Sequence, residues 1–348
     1  MQQSDVPTEK TSPTQPFPTK PPAYGRPWLK VPDDLIDFTP AMRAQALENL
    51  KNYRVAGMYN PPLLGKTTGG LRGAINVGNA SGGTNWPGAG ADPETHTVYA
   101  QAAMAFVSGL SLRETPSTFS SDMKYVSGVE GTEFREALGP GFGSAADSPL
   151  AAARGRAGAA PAAGAPDAAA AGRGGRGGRG AAAAPGAATP PAGGGGLQVE
   201  GLPIVKPPYG VLAAIDLDKG ELKFQVPHGD TPDAVRNSPA LAGMNIPKTG
   251  QNGSVGLMVT KTVVVLGDPQ VTAPPGRPRG AMLRAYDKNT GAEVGAVWLP
   301  AGQSGSPMTY MADGKQFIVV AVSGGIYSGE YIAFALPNAP RNTSVGQQ

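Results

Sequence analysis

Short hydrophobic runs, interrupted by Gly or Pro, fill the C-terminal half of the chain. From residue 205 onward many are rich in Val, Ile, Tyr and Phe, which pack well on a pleated sheet. Asp313-Gly314 between two runs predicts a tight hairpin. The pattern predicts an all-β region with these strands: Gly210–Leu217, Leu222–Val226, Leu257–Leu266, Met282–Tyr286, Val294–Leu299, Met308–Met311, Phe317–Val322 and Tyr331–Leu336.

A helical pattern occurs once in the N-terminal half. Thr39 is a favourable N-cap and Pro40 suits the first helical position, so we expect a short surface helix from Pro40 to Tyr53. Two strands are predicted after it, at Thr97–Ala100 and Met104–Val107. The face of the helix that packs on a neighbouring element comprises Ala46, Leu47, Leu50 and Tyr53.

Changes in composition divide the chain into five segments. In residues 151–198, Ala, Gly and Pro account for 39 of the 48 residues, so little side chain can be buried to offset the entropy of ordering. We therefore predict a disordered low-complexity insert there. The segments are an extended lead-in (1–34), a strand-containing region with one helix (35–140), the insert (141–199), a C-terminal β region (200–337) and a tail (338–348).

Composition also excludes several kinds of site. The chain has no cysteine and only two histidines, His96 and His228, which excludes disulfides, thiolate zinc sites, cysteine nucleophiles and a His-rich metal site. The net charge is +3, of which the insert contributes +4, so the rest carries −1. A charge this small does not by itself indicate nucleic-acid binding. The polar start predicts no signal peptide, and no apolar run reaches membrane-spanning length.

A short motif, A-x-D-x-x-x-G, occurs at Ala214 to Gly220 and again, 71 residues later, at Ala285 to Gly291. A degenerate copy runs from Ala91 to His96. The Asp accepts hydrogen bonds from the turn backbone, and the Gly adopts a positive φ. His96 occupies the position of that Gly, so we interpret it as a turn residue rather than a ligand. Repeated strand–turn–strand units predict a propeller or a solenoid.

Several of these motifs resemble those of one enzyme family. Gly82-Gly83-Thr84-Asn85-Trp86-Pro87-Gly88, which runs into Asp92-Pro93-Glu94-Thr95, resembles the quinoprotein dehydrogenases that use pyrroloquinoline quinone (PQQ), the glucose-dehydrogenase-like members above all. Residues 11–18, 210–226 and 306–317 resemble further segments of that family in the same order. The resemblance covers about residues 5–140 and 199–337.

The resemblance implies an eight-bladed β-propeller with PQQ near its axis beside a Ca²⁺ ion. It also implies a periplasmic enzyme in which an aspartate acts as general base and a hydride passes from a glucose-like sugar or an alcohol to PQQ. Electrons then pass to a quinone or a cytochrome. No nucleic-acid partner is expected.

In that family the segment like Asn85-Trp86 lies in the second half of the chain, so this chain resembles a C-terminal portion, a fragment with a partial propeller. The Ca²⁺ ligands and the catalytic aspartate are then expected in an N-terminal half, separately encoded if it exists. No catalytic residue or metal ligand is predicted in this chain, and the chain alone is expected to be inactive.

The resemblance implies three cofactor-binding residues. Asn85 would donate a hydrogen bond to a PQQ oxygen, and Trp86 would stand beside it. Asn252, in Thr249-Gly250-Gln251-Asn252-Gly253, is a weaker candidate in another loop that approaches the central site. Each residue has an alternative: Asn85 as a turn cap, Trp86 as packing between blades, and Asn252 as part of an Asn-Gly turn.

Several other residues are interpreted as packing, loop or turn residues rather than as parts of a functional site. The family places Trp four residues after the motif Gly, but this chain has Phe224 and Gly295 there, with Trp298 out of register, so docking between blades is expected to be weakened. We interpret His228 as a solvated loop residue. Three aspartates are interpreted as turn residues rather than bases: Asp268, Asp287 and Asp313.

Two alternative functions remain open. A partial propeller exposes unpaired strand edges, so the chain could be a non-catalytic interaction module. The Arg-Gly run at 172–179 resembles RNA-binding segments but lacks the aromatic residues that stack on bases, so an RNA-associated role is the weaker alternative.

Overall fold

The computed structural model describes residues 3–7, 9–65, 70–78, 82–85, 87–129, 134, 196–324 and 327–335. Most of the predicted insert lies outside these residues, and so does Trp86. The last residues of that predicted insert are folded, because Gln198–Val199 form a strand and Val199 is fully buried. Among the described residues, no helix is both long and apolar enough to cross a bilayer.

Strands dominate the described chain. The two α-helices are α1 (Pro40–Leu50) and α2 (Asp233–Arg236). The strands are β1 (Leu63–Leu64), β2 (Ala74–Val77), β3 (Ala89–Asp92), β4 (Thr97–Ala103), β5 (Val107–Glu114), β6 (Tyr125–Ser127), β7 (Gln198–Val199), β8 (Leu202–Pro203), β9 (Gly210–Asp216), β10 (Glu221–Pro227), β11 (Met258–Val259), β12 (Val263–Gly267), β13 (Ala281–Asp287), β14 (Glu293–Leu299), β15 (Met308–Ala312), β16 (Lys315–Gly324) and β17 (Tyr327–Ala335).

The sequence predicted most strands after residue 205 to within a few residues. One predicted strand, Leu257–Leu266, is a hairpin of β11 and β12, because Thr260 turns the chain by bonding Val263 through both its backbone and its side chain. The predicted strand Met104–Val107 is wrong except at its last residue, where β5 begins. The β1, β2, β3 and β6 strands were not predicted, since they are short and lie in Gly-rich or irregular sequence.

The α1 helix begins as predicted, because Thr39 Oγ1 accepts a hydrogen bond from the Met42 N–H at 3.1 Å. It ends at Leu50 rather than Tyr53. Its buried residues are Met42, Ala46 and Leu50, whereas the predicted core residue Leu47 is exposed. The face of α1 that packs on the core thus begins at Met42, about one turn earlier than predicted.

Four larger sheets organise the chain. In the first, β5 pairs with β1, β2 and β6. The second has the order β10-β9-β4-β3, the third β11-β12-β13-β14, and the last β15-β16-β17. Strands β4 and β9 pair directly although the chain between them includes the whole insert. The stretch of chain between these two paired strands also contains β5, β6, β7 and β8.

Apolar layers separate the second, third and last sheets. Tyr99, Leu212 and Tyr286 belong to a cluster between the second and third sheets, and Leu283, Val320 and Val322 to one between the third and last. Sheets that pack face to face in this way have their stability supplied mainly by the burial of these layers.

The repeated motif forms the turns that its sequence predicts. Asp216 Oδ1 accepts hydrogen bonds from two turn N–H groups, and Asp287 Oδ1 does the same. The residues at the motif's last position have positive φ: 66° at Gly220, 73° at Gly291 and 46° at His96. The predictions of turn roles for Asp287 and His96 are confirmed, and so is the hairpin at Asp313, whose φ is 48°.

Phe224 makes the inter-sheet contact that the expected tryptophan would have made. Its ring lies against Gly291 of the third sheet, where an added Cβ would approach Phe224 Cδ2 to 2.6 Å. An aromatic ring therefore still covers the motif glycine at this pair of sheets, although the expected tryptophan is absent. Trp298 instead lies beside Gly280 within its own sheet.

Candidate functional site

The two described candidate residues lie in loops that enter neighbouring sheets. Asn85 precedes β3, which is the edge strand of the second sheet, and Asn252 precedes β11, the edge strand of the third. These two strands lie side by side, and Gly90 of β3 faces the Leu257 side chain so closely that a Cβ would meet it at 2.5 Å. The two loops therefore approach the same end of the sheets.

Both loops are fixed to residues at the end of β4. Thr84 Oγ1 donates a hydrogen bond to the Gln101 carbonyl at 2.7 Å, and Gln101 Nε2 donates to the Gly253 carbonyl at 2.7 Å. The Ala105 N–H donates to Asn252 Oδ1 at 3.1 Å. Gln101 is buried, so these bonds hold the Asn85 and Asn252 loops to one rigid strand end.

The hydrogen bonds of Asn85 and Asn252 bear on whether each residue serves a turn or a ligand. The Asn85 carbonyl accepts a hydrogen bond from the Gly88 N–H at 2.8 Å, so Asn85 opens a turn. Asn252 uses its Oδ1 to hold Ala105, and its Nδ2 has no hydrogen-bond partner within the described ranges. The amide donor of Asn252 is thus available for a ligand. Trp86 lies outside the described residues.

A cleft of about 550 Å³, a volume that includes space open to solvent, lies beside Asn252. It is bounded by the segment that carries β7 and β8, the beginning of α2 and the loop of Asn252. None of the described residues that line it is charged. They are Ala105, Phe106, Gly196, Leu197, Gln198, Gly201, Leu202, Pro203, Tyr209, Pro232, Ala234, Val235, Asn252 and Gln270.

His228 supports this region from inside the fold, so its prediction as a solvated residue is wrong. Its side chain is fully buried, with Nδ1 3.0 Å from the Tyr286 hydroxyl and Nε2 3.0 Å from the Gly267 carbonyl. Burial lowers the pKa of His228 to about 3, so the ring is neutral. Because a carbonyl only accepts, Nε2 carries the proton and Nδ1 accepts from Tyr286.

Asp268 is part of a buried ion cluster rather than a turn residue. Its two carboxylate oxygens accept hydrogen bonds from Arg284 Nε at 2.6 Å and Nη2 at 2.9 Å. Arg284 also contacts Asp230 at 3.1 Å and Glu293 at 2.8 Å. Asp268 lies two residues before Gln270, whose Nε2 donates to the Asn252 carbonyl. The cluster thereby supports the Asn252 loop, and a lone Asp in the sequence carried no signal of it.

Groups suited to a metal ion are not brought together in the described part of the chain. It contains no cluster of three or more His, Cys, Asp or Glu side chains that could hold a metal ion. No calcium ligands are therefore assigned to the described residues. What the site provides is amide donors on a rigid strand end, next to an uncharged cleft.

Comparison with known proteins shows which family the chain is similar to. Residues 1–154 and 162–318 match the family described as "PQQ: Glucose/ethanol/alcohol dehydrogenase, beta-propeller domain". A probable quinate dehydrogenase (quinone) of Xanthomonas campestris pv. juglandis is 27% identical over 347 residues, which are 97% of this chain and 35% of the relative. A quinate/shikimate dehydrogenase (quinone) of Acinetobacter baylyi is 25% identical over 96% of this chain and 34% of its own length.

A shorter match involves the quinoprotein glucose dehydrogenase A of Acinetobacter calcoaceticus, which is 31% identical over 143 residues, or 40% of this chain and 16% of the relative. The chain spans about a third of the length of the two quinate dehydrogenases. Its similarity thus covers one part of much longer enzymes.

Proposed function

We propose that this chain forms one wall of the PQQ site in a dehydrogenase that oxidises a sugar or alcohol CH–OH group. The chain belongs to the β-propeller family of PQQ-dependent glucose, ethanol and alcohol dehydrogenases. A glucose-like sugar was the substrate expected from sequence. The similarity to quinate dehydrogenases extends the proposed substrates to cyclic polyols that carry a carboxylate.

The observation that supports this proposal is the approach of two asparagine loops to one strand end. PQQ is a planar quinone whose ring oxygens accept hydrogen bonds, and an asparagine amide is a suitable donor. Asn252 has an Nδ2 without a partner among the described residues, and the Asn85 loop is fixed to the same strand end. These residues fit the ring oxygens, and PQQ when bound would supply the hydride acceptor.

We further propose that the calcium ligands and the catalytic base lie in polypeptide that this chain does not include. In that case the chain supplies donors for PQQ but does not polarise the quinone or remove the substrate proton. With PQQ and Ca²⁺ added, the purified chain should give no dye-linked oxidation of glucose, quinate or ethanol. Turnover above a heat-denatured control would contradict this part of the proposal.

The partner in this proposal is a polypeptide that continues the propeller. The outer face of the last sheet, which points away from the third sheet, is apolar apart from Lys315, and its residues pair in register across β15, β16 and β17. Such a face is suited to packing on a further sheet. It comprises Met308, Tyr310, Phe317, Val319, Ala321, Tyr331, Ala333 and Ala335.

The same face favours a second candidate function, a non-catalytic interaction module, which would bind its partner without PQQ. PQQ binding separates the two candidates.

For the dehydrogenase we propose a quinone or cytochrome as electron acceptor, and a quinone is supported by the names of the two quinate relatives. A periplasmic location is proposed from the family resemblance alone.

Titration of the purified chain with PQQ tests the main proposal. Asn252→Asp keeps the oxygen that Ala105 needs but removes the amide donor and adds a negative charge toward a tricarboxylate, so PQQ should bind at least about tenfold more weakly. Asn85→Asp should act likewise. Asn289→Asp, in an exposed turn, is the matched control and should bind as the unaltered chain does. Absence of PQQ binding, or equal binding by all variants, would contradict the proposal.

A further inference from the structure

We propose that Gln101 and Gln303 are positioning residues, which hold the segment that follows Asn252 from two sides and so fix the direction from which the Asn252 side chain meets PQQ. This inference rests on the proposed function, in which Asn252 donates a hydrogen bond to PQQ. Residues 253–256, here called the clamped segment, lie between Asn252 and β11. Neither glutamine belongs to a motif in the sequence, because each acts on a part of the chain far from its own position.

Gln101 reaches the clamped segment from the second sheet. Its side chain is buried, its Nε2 donates a hydrogen bond to the Gly253 carbonyl at 2.7 Å, and its Oε1 accepts one from the Val255 N–H at 3.3 Å. The clamped segment lies outside any strand, so no strand ladder supplies partners for its peptide groups. The amide of Gln101 therefore serves one donor and one acceptor of this segment in place of a neighbouring strand.

Gln303 acts on the same segment from the last sheet, on the opposite side. It is buried, and its Nε2 donates a hydrogen bond to the Gly256 carbonyl at 2.6 Å. Its Oε1 accepts a hydrogen bond from the Gly267 N–H at the end of β12. The backbone of Gln303 forms a bridge with Val322 of β16. Gln303 thus links the last sheet to the clamped segment with the same donor and acceptor pattern as Gln101.

Close packing leaves the clamped segment little room to move aside. A Cβ added at Gly253 would meet the Pro269 side chain at 2.5 Å, and one added at Gly256 would overlap Ser306 Oγ. The backbone therefore lies directly against both neighbours. A binding residue is held in place by the packing and hydrogen bonds of the groups behind it. Since Asn252 directly precedes this segment, loss of either glutamine amide should loosen Asn252.

Titration with PQQ tests the inference in variants that keep the length of the side chain. Gln101→Met and Gln303→Met remove the amide, and each should weaken PQQ binding about threefold to tenfold, although neither side chain is proposed to contact PQQ. Gln225→Met is the matched control, because Gln225 Nε2 also donates to a backbone carbonyl, that of Tyr24, at 2.7 Å. It lies on the outer strand of the second sheet and should bind PQQ normally.

A double-mutant cycle distinguishes positioning of Asn252 from a general loss of structure. If the glutamines act through Asn252, neither Gln101→Met nor Gln303→Met should weaken PQQ binding further in the Asn252→Asp background. Circular dichroism and thermal unfolding establish that each variant is folded before titration. The same additional loss in both backgrounds would show a merely structural role and overturn the inference. So would a PQQ affinity that neither methionine variant changes.

Hydrogen exchange measured without PQQ allows the two proposals to fail separately. In both methionine variants the amides of residues 249–258 should exchange at least about threefold faster, whereas those of β13 should keep their rates. A chain that loosens in this way but does not bind PQQ retains the clamp and loses the proposed function. A chain that binds PQQ, but whose residues 249–258 exchange at the unaltered rate in both variants, retains the proposed function and loses the clamp.

Discussion

The two histidines differ in surroundings, and this difference sets their chemistry. His96 lies in an exposed turn with its Nδ1 2.9 Å from Asp218, where it takes the position of a motif glycine. His228 is fully buried between Tyr286 and the Gly267 carbonyl, where charging it would require desolvating an ion. The fold therefore holds His228 neutral.

This burial makes stability depend on pH. An unfolded histidine has a pKa near 6.5, whereas His228 in the folded protein has a pKa of about 3. Between these values the unfolded chain binds a proton that the folded chain does not, so the free energy of unfolding falls as the pH falls. We expect urea unfolding to show that the free energy of unfolding falls between pH 7 and pH 5. This fall should be about 2 kcal/mol larger in the unaltered chain than in His228→Gln.

The control for this measurement is His96→Asn, because Asn also tolerates positive φ. It should show the same loss as the unaltered chain. Equal pH dependence in His228→Gln and the unaltered chain would show that His228 is not held neutral by the fold.

Loss of the Arg284 side chain should be strongly destabilising. Its side chain is 3% exposed and contacts three carboxylates, of which Asp268 is fully buried. Arg284→Met leaves the Asp268 charge buried without its partner, so denaturant unfolding should show a loss of about 3–5 kcal/mol. Arg279→Met removes an exposed partner of Asp233 and should cost at most about 1 kcal/mol. Similar losses in both variants would contradict a special role for the buried cluster.

At the scale of elements, one aromatic contact joins two sheets. Phe224 of β10 covers Gly291 in the turn between β13 and β14, so that the outer strands of two sheets are held at a fixed distance. The expected tryptophan is absent, yet the contact persists because a phenyl ring is also flat and apolar. A phenyl ring in place of tryptophan therefore still covers the glycine surface.

Comparing two glycine-to-alanine variants separates the stability cost of a clash with Phe224 from the cost of backbone strain. Gly291 and Gly314 have φ of 73° and 70°, but an added Cβ meets Phe224 at Gly291 and nothing within 4 Å at Gly314. Each change to Ala costs about 1–2 kcal/mol from the positive φ. Gly291→Ala should cost a further 1–3 kcal/mol, about the penalty of overpacking, in thermal or urea unfolding.

The extra cost at Gly291 should largely vanish in a Phe224→Ala background, because the clash is then absent. If Gly291→Ala and Gly314→Ala destabilise equally, the ring does not dock on the glycine as described.

At the scale of the whole molecule, the sheets follow one another with apolar layers between them, and the outer face of the last sheet continues the series. Tyr331 on this face is 82% exposed, whereas Val320 on the opposite face of the same sheet is fully buried. An apolar face of this kind favours association with a partner. The molecule thus has the form of a stack that another sheet can extend.

Without such a partner the chain should associate with itself through this face. In sedimentation velocity the apparent mass of the unaltered chain should rise with concentration, and Tyr331→Glu should reduce that rise by placing a charge on the face. Asn289→Glu, which adds the same charge in an exposed turn, should leave the rise unchanged. Equal association in all three proteins would place the contact elsewhere on the surface.

The sequence by itself determined the features that depend on neighbours along the chain. The N-cap at Thr39, the motif turns at Asp216 and Asp287 and the alternating strands were predictable, because each follows from side chains and backbone within a few residues. Asn85 and Asn252 became candidates only through the motifs that resemble those of a known family.

Tertiary structure alone decided which distant segments meet. The pairing of β4 with β9 across the insert, the contact of Phe224 with Gly291, the burial of His228 and the cleft at Tyr209 all join residues that lie far apart in the chain. A local pattern records only that a side chain is apolar or polar. The partner it meets, and hence its charge state and chemistry, is set by how the sheets pack.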